Sequence, residues 1–350
     1  MPVAERKTTP TRSDFSGSLT PTEVDHLVSD KDLRVLQAAK PVAAETWSLL
    51  NARFFALRPD VELRVYGHYG QPCDLSFLER MGNVRRFAAD SLFEATRAEY
   101  ISRLPGLVSL SIGIRSLDSL DFLADVQADH LTDLALGATS SKKPGLRCLE
   151  RFAGLKRLYL ESHKKDIEVI GDLPRLEELA LRSVALPSLN FLGGLAALWS
   201  LDIKLGGTKD LAGLAQLTGI KYLELWQVRQ LSDLSPLEGM TGLQFLFLQS
   251  LRNVAQLPRC SQMQALRRVY MENMKGLQSV TPLEEAPALE ELIHVAAHGM
   301  EPAQYSGLLL KKSLKRMLVG FGSKRKNEAL LGMMKAAGIE EYSYRPFCFA

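Results

Sequence analysis

Two histidines towards the C-terminal end of the chain have the spacing of a metal site. His294 and His298 lie four residues apart in the sequence HVAAH, a separation at which two imidazoles on one face of a helix can bind zinc. His294, however, falls on an inward position of a predicted strand, and no Glu-rich helix accompanies the pair. We therefore expect structural histidines, with no metal and no cofactor.

The cysteines and the motifs of common enzymes offer no other chemistry. The four cysteines, Cys73, Cys148, Cys260 and Cys348, are far apart and form no C-x-x-C pair, so neither a disulfide framework nor a zinc ribbon is indicated. The sequence has no G-x-x-x-x-G-K-[ST] phosphate loop and no G-x-S-x-G nucleophile motif. We predict that the protein is not an enzyme, has no catalytic residues and works in a reducing compartment.

Basic residues cluster near the C-terminal end and could bind phosphate. They are Lys311, Lys312, Lys315, Arg316, Lys324, Arg325 and Lys326. A solvated helix face also explains them, because four glutamates lie just upstream and the net charge of the chain is only +3. Binding of nucleic acid or of another anionic surface is therefore disfavoured and remains the alternative prediction.

Aromatic residues are concentrated in one stretch. Phe, Trp and Tyr make up 7% of the chain. In three consecutive repeat segments, however, five of the nine alternating positions are aromatic. The nine positions are Tyr222, Glu224, Trp226, Phe245, Phe247, Gln249, Arg268, Tyr270 and Glu272. Rigid aromatic side chains beside Arg and Glu are typical of a protein-interface hot spot. The alternative is that these rings only cover neighbouring strands.

A leucine repeat predicts the elements that hold these aromatic side chains. Ile220, Leu223 and Leu225 form an L-x-x-L-x-L unit, which begins again at Leu243, 23 residues later. The L-x-L end of the unit has the period of a strand. Between the two units, leucines recur at every third residue, which suits an irregular or 3₁₀-like return arm.

The same unit recurs along most of the chain. From Val84 onwards its copies start 21 to 25 residues apart, at Val84, Leu107, Leu131, Leu155, Leu176, Leu198, Ile220, Leu243, Leu266, Leu289, Leu314 and Ile339. This pattern resembles the leucine-rich repeat family, and the 22-residue units resemble the short bacterial-type repeats of internalins and of phosphatase regulators. One departure is that position 9 of the units lacks the asparagine of those families, so their asparagine ladder is absent.

The resemblance implies an α/β solenoid. Its expected form is a curved array with a concave parallel β-sheet, an irregular or 3₁₀ convex side that becomes helical towards the C-terminus, and an N-terminal helical cap. We predict a disordered tail over 1–24, the helical cap over 25–59, the solenoid over 60–325 and a helix–strand cap over 326–350. The cap helix should bury Trp47, Leu50, Phe54 and Leu57 on one face, and Phe347 and Phe349 should close the open edge of the sheet.

Strand alternation then predicts the site and the function. If the leucines point inward, the intervening side chains share the concave face. The predicted partner-binding residues there are Tyr222, Glu224, Trp226, Phe245, Phe247, Arg268, Tyr270, Glu272, Tyr159 and Asp202. We expect a cytoplasmic protein-interaction module, in a narrower form an immunity or regulatory protein, that is monomeric when free and grips one folded protein. No signal segment or membrane span is predicted.

Overall fold

The computed structural model describes residues 11–68, 70–141 and 143–350. These residues form two compact units, one within Arg6–Leu176 and the other spanning Glu177–Ala350. In both units short strands alternate with return arms, most of which contain a 3₁₀ helix. Residues 1–10 of the predicted disordered tail lie outside the described residues.

The first unit contains nine of the described strands. They are β1 (Thr11–Asp14), β2 (Leu33–Ala38), β3 (Glu62–Gly67), β4 (Cys73–Asp74), β5 (Arg86–Leu92), β6 (Ala95–Thr96), β7 (Ser109–Ile114), β8 (Asp133–Leu136) and β9 (Arg157–Glu161). The order β1-β2-β3-β5-β7-β8-β9 makes one parallel sheet, while β4 and β6 pair with each other. The 3₁₀ helices of this unit are Leu75–Arg80, Ala98–Arg103, Asp121–Asp125, Arg147–Arg151 and Ile167–Asp172.

The prediction of a disordered tail is wrong for residues 11–24. Strand β1 pairs in parallel with β2, and helix α1 (Pro21–Ser29) follows it. The backbone N–H of Glu23 bonds the Thr20 hydroxyl, and the Glu23 carboxylate accepts from the Thr20 N–H. This capping box satisfies two backbone donors that helix formation would otherwise leave without partners. Few apolar residues are therefore enough to order this part of the chain.

The predicted helix of the cap is present but changes its winding. Helix α2 (Ala44–Leu49) continues directly as a π-helix over Leu50–Phe55. A π-helix takes more residues per turn than an α-helix, so the face that points inward shifts along the sequence. Trp47, Leu50 and Phe54 are buried as predicted, but Leu57 is 67% exposed. The cap is also not purely helical, because strand β2 lies within 25–59.

The second unit contains eight described strands in sequence order. They are β10 (Glu178–Arg182), β11 (Ser200–Lys204), β12 (Tyr222–Trp226), β13 (Phe245–Gln249), β14 (Arg268–Glu272), β15 (Glu291–Val295), β16 (Arg316–Val319) and β17 (Glu340–Glu341). The 3₁₀ helices are Asn190–Gly194, Ala212–Gln216, Ser235–Gly239, Thr281–Glu285, Pro302–Tyr305 and Leu308–Leu310. Helix α3 (Lys324–Ala336) makes the last return arm helical, as predicted.

The repeat leucines form the core of the second unit. Leu223, Leu225, Leu246 and Leu248 each have no exposed surface. In the register of β12 with β13, Leu223 lies beside Leu246 and Leu225 beside Leu248. Full burial of one such side chain stabilises the folded state by about 1.5–3 kcal/mol. The inward direction of the leucines also fixes which residues point outward.

The turn after each strand replaces the missing asparagine ladder with backbone hydrogen bonds. The residue that follows the strand has a positive φ in β11, β12 and β13, where it is Leu205, Gln227 and Ser250. Each of these residues donates its N–H to the last carbonyl of the next strand, at 2.8 to 2.9 Å. Neighbouring turns are thereby linked without a side-chain amide.

Candidate protein-binding face

Strands β12, β13 and β14 bring the predicted aromatic residues together in three rows. The first row is Tyr222, Phe245 and Arg268; the second row is Glu224, Phe247 and Tyr270; the third row is Trp226, Gln249 and Glu272. Members of a row are direct neighbours on parallel strands, about 4.8 Å apart. The predicted sharing of one outward face by these residues is confirmed.

The first row is covered, which corrects the expectation that its rings point to solvent. The exposed fraction is 0% for Tyr222 and 2% for Phe245. Phe347 and Phe349 lie against them, with ring centroids 5.3 Å apart for Phe347 and Phe245 and 6.1 Å for Phe349 and Tyr222. These two residues belong to the end of the chain, residues 342–350, here called the C-terminal segment. They therefore cover the face of the sheet instead of closing its edge.

Side chains at the entrance to the strands hold the backbone of the C-terminal segment. Gln244 accepts from the N–H of Ala350 at 2.9 Å and donates its amide to the Ala350 oxygen at 3.1 Å. Lys221 Nζ donates to the same oxygen at 2.6 Å. Arg267 donates to the Cys348 carbonyl at 3.1 Å. Lys221, Gln244 and Arg267 each precede one strand, so the segment crosses three successive repeats.

Apart from Glu224, the residues of the second and third rows are half-buried. The rings of Phe247 and Tyr270 are stacked, with centroids 4.7 Å apart and an interplanar angle of 10°. The Tyr270 hydroxyl donates to Glu272 at 3.2 Å. Burial, together with the charge of Glu272, raises the pKa of Tyr270 to about 12. This part of the face combines apolar area with a polar rim, which is the composition of an interface centre.

Asp202 and Glu224 are not exposed partner contacts, which is a second correction. Both carboxylates are buried and lie 3.0 Å from Lys204 Nζ. The Tyr222 hydroxyl donates to Glu224 at 2.8 Å. Burial, followed by the nearby charge of Glu224, raises the pKa of Asp202. Alternation along a strand predicts direction correctly here, but it does not report how deeply a side chain is covered.

Arg268 is also buried rather than available to a partner. Its side chain is 5% exposed and pairs with Glu291, whose carboxylate also lies 3.2 Å from Arg316. The guanidinium carbon of Arg268 lies 5.0 Å from the centroid of the Phe347 ring. Arg268 also donates to the Arg345 carbonyl at 3.3 Å. Its contacts are therefore with the core of the face and with the C-terminal segment.

Solved structures resemble this chain in fold. An internalin (InlF) of Listeria monocytogenes matches with a TM-score of 0.54 and 16% sequence identity, covering 90% of this chain and 82% of that one. TLR13, in a complex with ssRNA13, matches with a TM-score of 0.53 and 18% identity, covering 93% and 50%. Both are leucine-rich repeat proteins. The chain has a leucine-rich repeat fold. No protein-family model and no curated protein sequence matches it.

A leucine-rich repeat protein of Leptospira interrogans is also similar, with a TM-score of 0.49 and 15% identity over 93% of each chain. Fold alone identifies no partner. No helix of the described residues is long and apolar enough to cross a membrane.

Tyr159 lies on strand β9 of the first compact unit. It lines a cavity of about 900 Å³ with Glu161, Gly113, Gly137 and Arg115. The Tyr159 hydroxyl donates to Glu161 at 3.2 Å. A Cβ on Gly137 would lie 3.1 Å from the Cα of Gly113, so these strands approach closely where the side chains are small. The sequence analysis did not single out Gly113 and Gly137.

Two histidines and three of the four cysteines have the surroundings of structural residues rather than of catalytic or metal-binding ones. His294 is buried and bonds the Tyr305 hydroxyl at 2.7 Å, while His298 bonds the Phe321 carbonyl. Burial raises the pKa of the Cys73 and Cys260 thiols to about 12 and that of Cys148 to about 11. A thiol protonated at neutral pH is a poor nucleophile and a poor metal ligand. Within the described residues no group of three His, Cys, Asp or Glu side chains could hold a metal.

Most of the basic residues near the C-terminal end are paired. Lys315 contacts Glu290 at 3.0 Å, and Lys326 contacts Glu301 at 2.7 Å. Lys311 Nζ donates to the Glu284 carbonyl at 2.9 Å. Pairing of this kind reduces the positive charge that the region offers to phosphate groups.

Proposed function

We propose that this protein binds a folded partner protein through the second and third rows of its sheet face. The stacked pair of Phe247 and Tyr270 carries the proposal, because it forms an apolar surface that stays half-buried. Trp226 extends this surface, and the Arg182 guanidinium lies 5.9 Å from the centroid of its ring. Aromatic rings beside paired charges give a large contact area at low conformational cost.

A regulatory or immunity role by occlusion is the narrower form of this proposal. The buried thiols of Cys73 and Cys260, which stay protonated at neutral pH, support binding rather than chemistry. The four cysteines are free thiols, which supports a reducing, cytoplasmic location. Binding of nucleic acid remains the second candidate, supported by the exposed Lys312, Lys324 and Arg325.

The test is affinity purification from lysate of the source cells, with quantitative identification of captured proteins. The variant Trp226→Ala/Phe247→Ala should fold normally and lose a partner that the wild-type chain retains, because truncation of aromatic anchors weakens binding by about 2–4 kcal/mol. A matched control is Leu310→Ala, which removes an apolar side chain that is 85% exposed and lies off the strands.

Two outcomes would overturn the proposal. One is an identical set of captured proteins for the wild type and the aromatic double variant. The other is capture that collapses between 50 and 200 mM salt, which counterion release predicts for about six or more phosphate contacts and which would favour the nucleic-acid candidate.

A further inference from the structure

The C-terminal segment lies on the sheet as a bound peptide does. From Arg345 onwards, alternate side chains contact successive repeats. Arg345 lies 3.9 Å from Glu291 on β15, Phe347 packs on Phe245 of β13, and Phe349 packs on Trp199 and Tyr222. Pro346 favours an extended backbone at the residue before it. The segment therefore presents every second side chain to the sheet, in the manner of an extended ligand.

Sheet side chains recognise both the backbone and the aromatic rings of the segment. Lys221, Gln244 and Arg267 bond its backbone, which any sequence could supply. Specificity comes from the rings. The Phe347 centroid lies 5.2 Å from the Arg267 guanidinium carbon, and the Phe349 ring lies 5.2 Å from Trp199 in an edge-on arrangement. Cation–π and edge-to-face contacts of this kind favour aromatic side chains at both positions.

The segment is attached almost entirely through side chains. The N–H of Tyr342 still donates to the Met317 carbonyl. From residue 343 to 350, no backbone-to-backbone hydrogen bond joins the described residues of the segment to the sheet. Release of the segment therefore breaks no strand pairing, and an attachment of this kind opens at a lower free energy than the sheet itself. Release would also remove the contacts of the segment with Tyr222 and Phe245, an apolar surface that a segment of another chain could contact in its place.

We propose that the groove formed by Trp199, Lys221, Tyr222, Gln244, Phe245 and Arg267 is a binding site for an extended segment of another protein with an aromatic-x-aromatic pattern. The C-terminal segment is its resident competitor. This inference rests on the proposed function, since it names the chemistry of the partner and a means of regulating access. A ligand must displace the C-terminal segment before it reaches the first row.

The test uses a fluorescent peptide with the sequence of residues 341–350, with Ser in place of the cysteine, and full-length protein. Fluorescence polarisation is measured for the wild type and for Phe347→Ser/Phe349→Ser, which releases the segment. The released variant should bind the peptide at least about tenfold more tightly, because a tethered competitor acts at an effective concentration near the millimolar range. Adding Lys221→Ala and Gln244→Ala to the released variant should return binding to the weak level of the wild type. A peptide with Ser at both aromatic positions should bind none of the proteins.

A second measurement holds even if the released variant unfolds. Hydrogen exchange on the wild-type chain should show the amides of residues 343–350 exchanging at least about 100-fold faster than those of β13. Exchange of the segment only at the rate of β13, or equal peptide affinity for the wild type and a folded released variant, would overturn the inference. The lysate experiment changes other residues, because neither Trp226 nor Phe247 is one of the six that form the groove, although Phe247 packs against its edge. Its success with failure of the peptide would remove the inference and leave the proposed function.

Discussion

Lys204 should contribute strongly to stability, because its ammonium group contacts two buried carboxylates. Its Nζ lies 3.0 Å from Asp202 and 3.0 Å from Glu224, and the three side chains are 9%, 5% and 2% exposed. Lys204→Met keeps most of the volume and removes the charge. Removing one partner of a buried ion pair costs about 3–5 kcal/mol, because the remaining charge cannot return to water.

The pH dependence of this loss follows from the protonation of one carboxyl. In the variant, one acid must take up a proton on folding. At pH 7 this costs about 4 kcal/mol for a group with an unfolded pKa near 3.9, at 1.36 kcal/mol per pH unit. At pH 5 the same step costs about 1.5 kcal/mol. The folded pKa of the acid is raised, so its stabilising proton is bound at low pH and lost as pH rises. The deficit of the variant should therefore shrink by about 2–3 kcal/mol between pH 7 and pH 5.

The matched variant is Asp202→Asn, which should not destabilise the fold. Burial and Glu224 already raise the pKa of Asp202, so its ionised form opposes folding near neutral pH. The amide oxygen of Asn can still accept from Lys204, and we expect stability to be unchanged or higher by about 1 kcal/mol. Urea unfolding followed by circular dichroism measures both variants at pH 5 and pH 7. Wild-type stability of Lys204→Met at pH 7, or equal losses in the two variants, would refute the reasoning.

Two further predictions concern the return arms and a buried histidine. Gly242→Ala should destabilise the fold by about 1–3 kcal/mol in urea unfolding, because its Cβ would lie 2.4 Å from the Thr218 carbonyl oxygen of the preceding repeat. Gly239→Ala, with 3.6 Å to the nearest oxygen, should be tolerated, and equal effects would contradict the packing. Burial lowers the pKa of His294 to about 4, so the unfolded chain takes up a proton below its pKa of about 6.5 and the folded chain does not. Stability should fall by up to about 3 kcal/mol as pH drops from 6.5 to 4, and His294→Gln should remove that part of the dependence; an unchanged pH profile would show that His294 titrates normally.

The repeat register could be predicted from the sequence because it depends on local alternation. Leucines at every second position fix the inward direction of a strand, so Leu223 and Leu225 also determine the direction of Tyr222 and Glu224. The same reasoning predicted the 3₁₀ return arms and the helix in the last arm. Each of these features involves residues within one repeat length of each other.

The wrong prediction of disorder for residues 11–24 overlooked a helix-start pattern in the sequence. Thr20 and Glu23, with Pro21 between them, form the sequence signature of a helix start. A polar composition was interpreted as disorder, although one capping box and a strand pairing are enough to order the segment. The winding change at Leu50 had no comparable signal, since π-helices have no distinctive pattern in sequence.

The cover over the first row could not be predicted, because its contacts join distant parts of the chain. Lys221 and Ala350 are separated by 129 residues, and Gln244 and Ala350 by 106. Periodicity reports only near neighbours and cannot show which surface a terminal segment will meet. The alternation of Arg345, Phe347 and Phe349 was visible in the sequence. It predicted an edge strand, because a strand and an extended ligand share the same period.

The division of the face between covered and half-buried rows has a consequence for partner selection. If the C-terminal segment fills the groove 99% of the time, a ligand that uses only the groove binds about 100-fold more weakly than it would to an empty site. A partner can also contact the stacked pair of Phe247 and Tyr270, which the C-terminal segment does not fill. The 100-fold weakening does not apply to the binding energy from those contacts. The partner's own aromatic segment then competes for the groove at a high effective concentration rather than from solution. The arrangement therefore favours partners that engage both surfaces over peptides that match the groove alone.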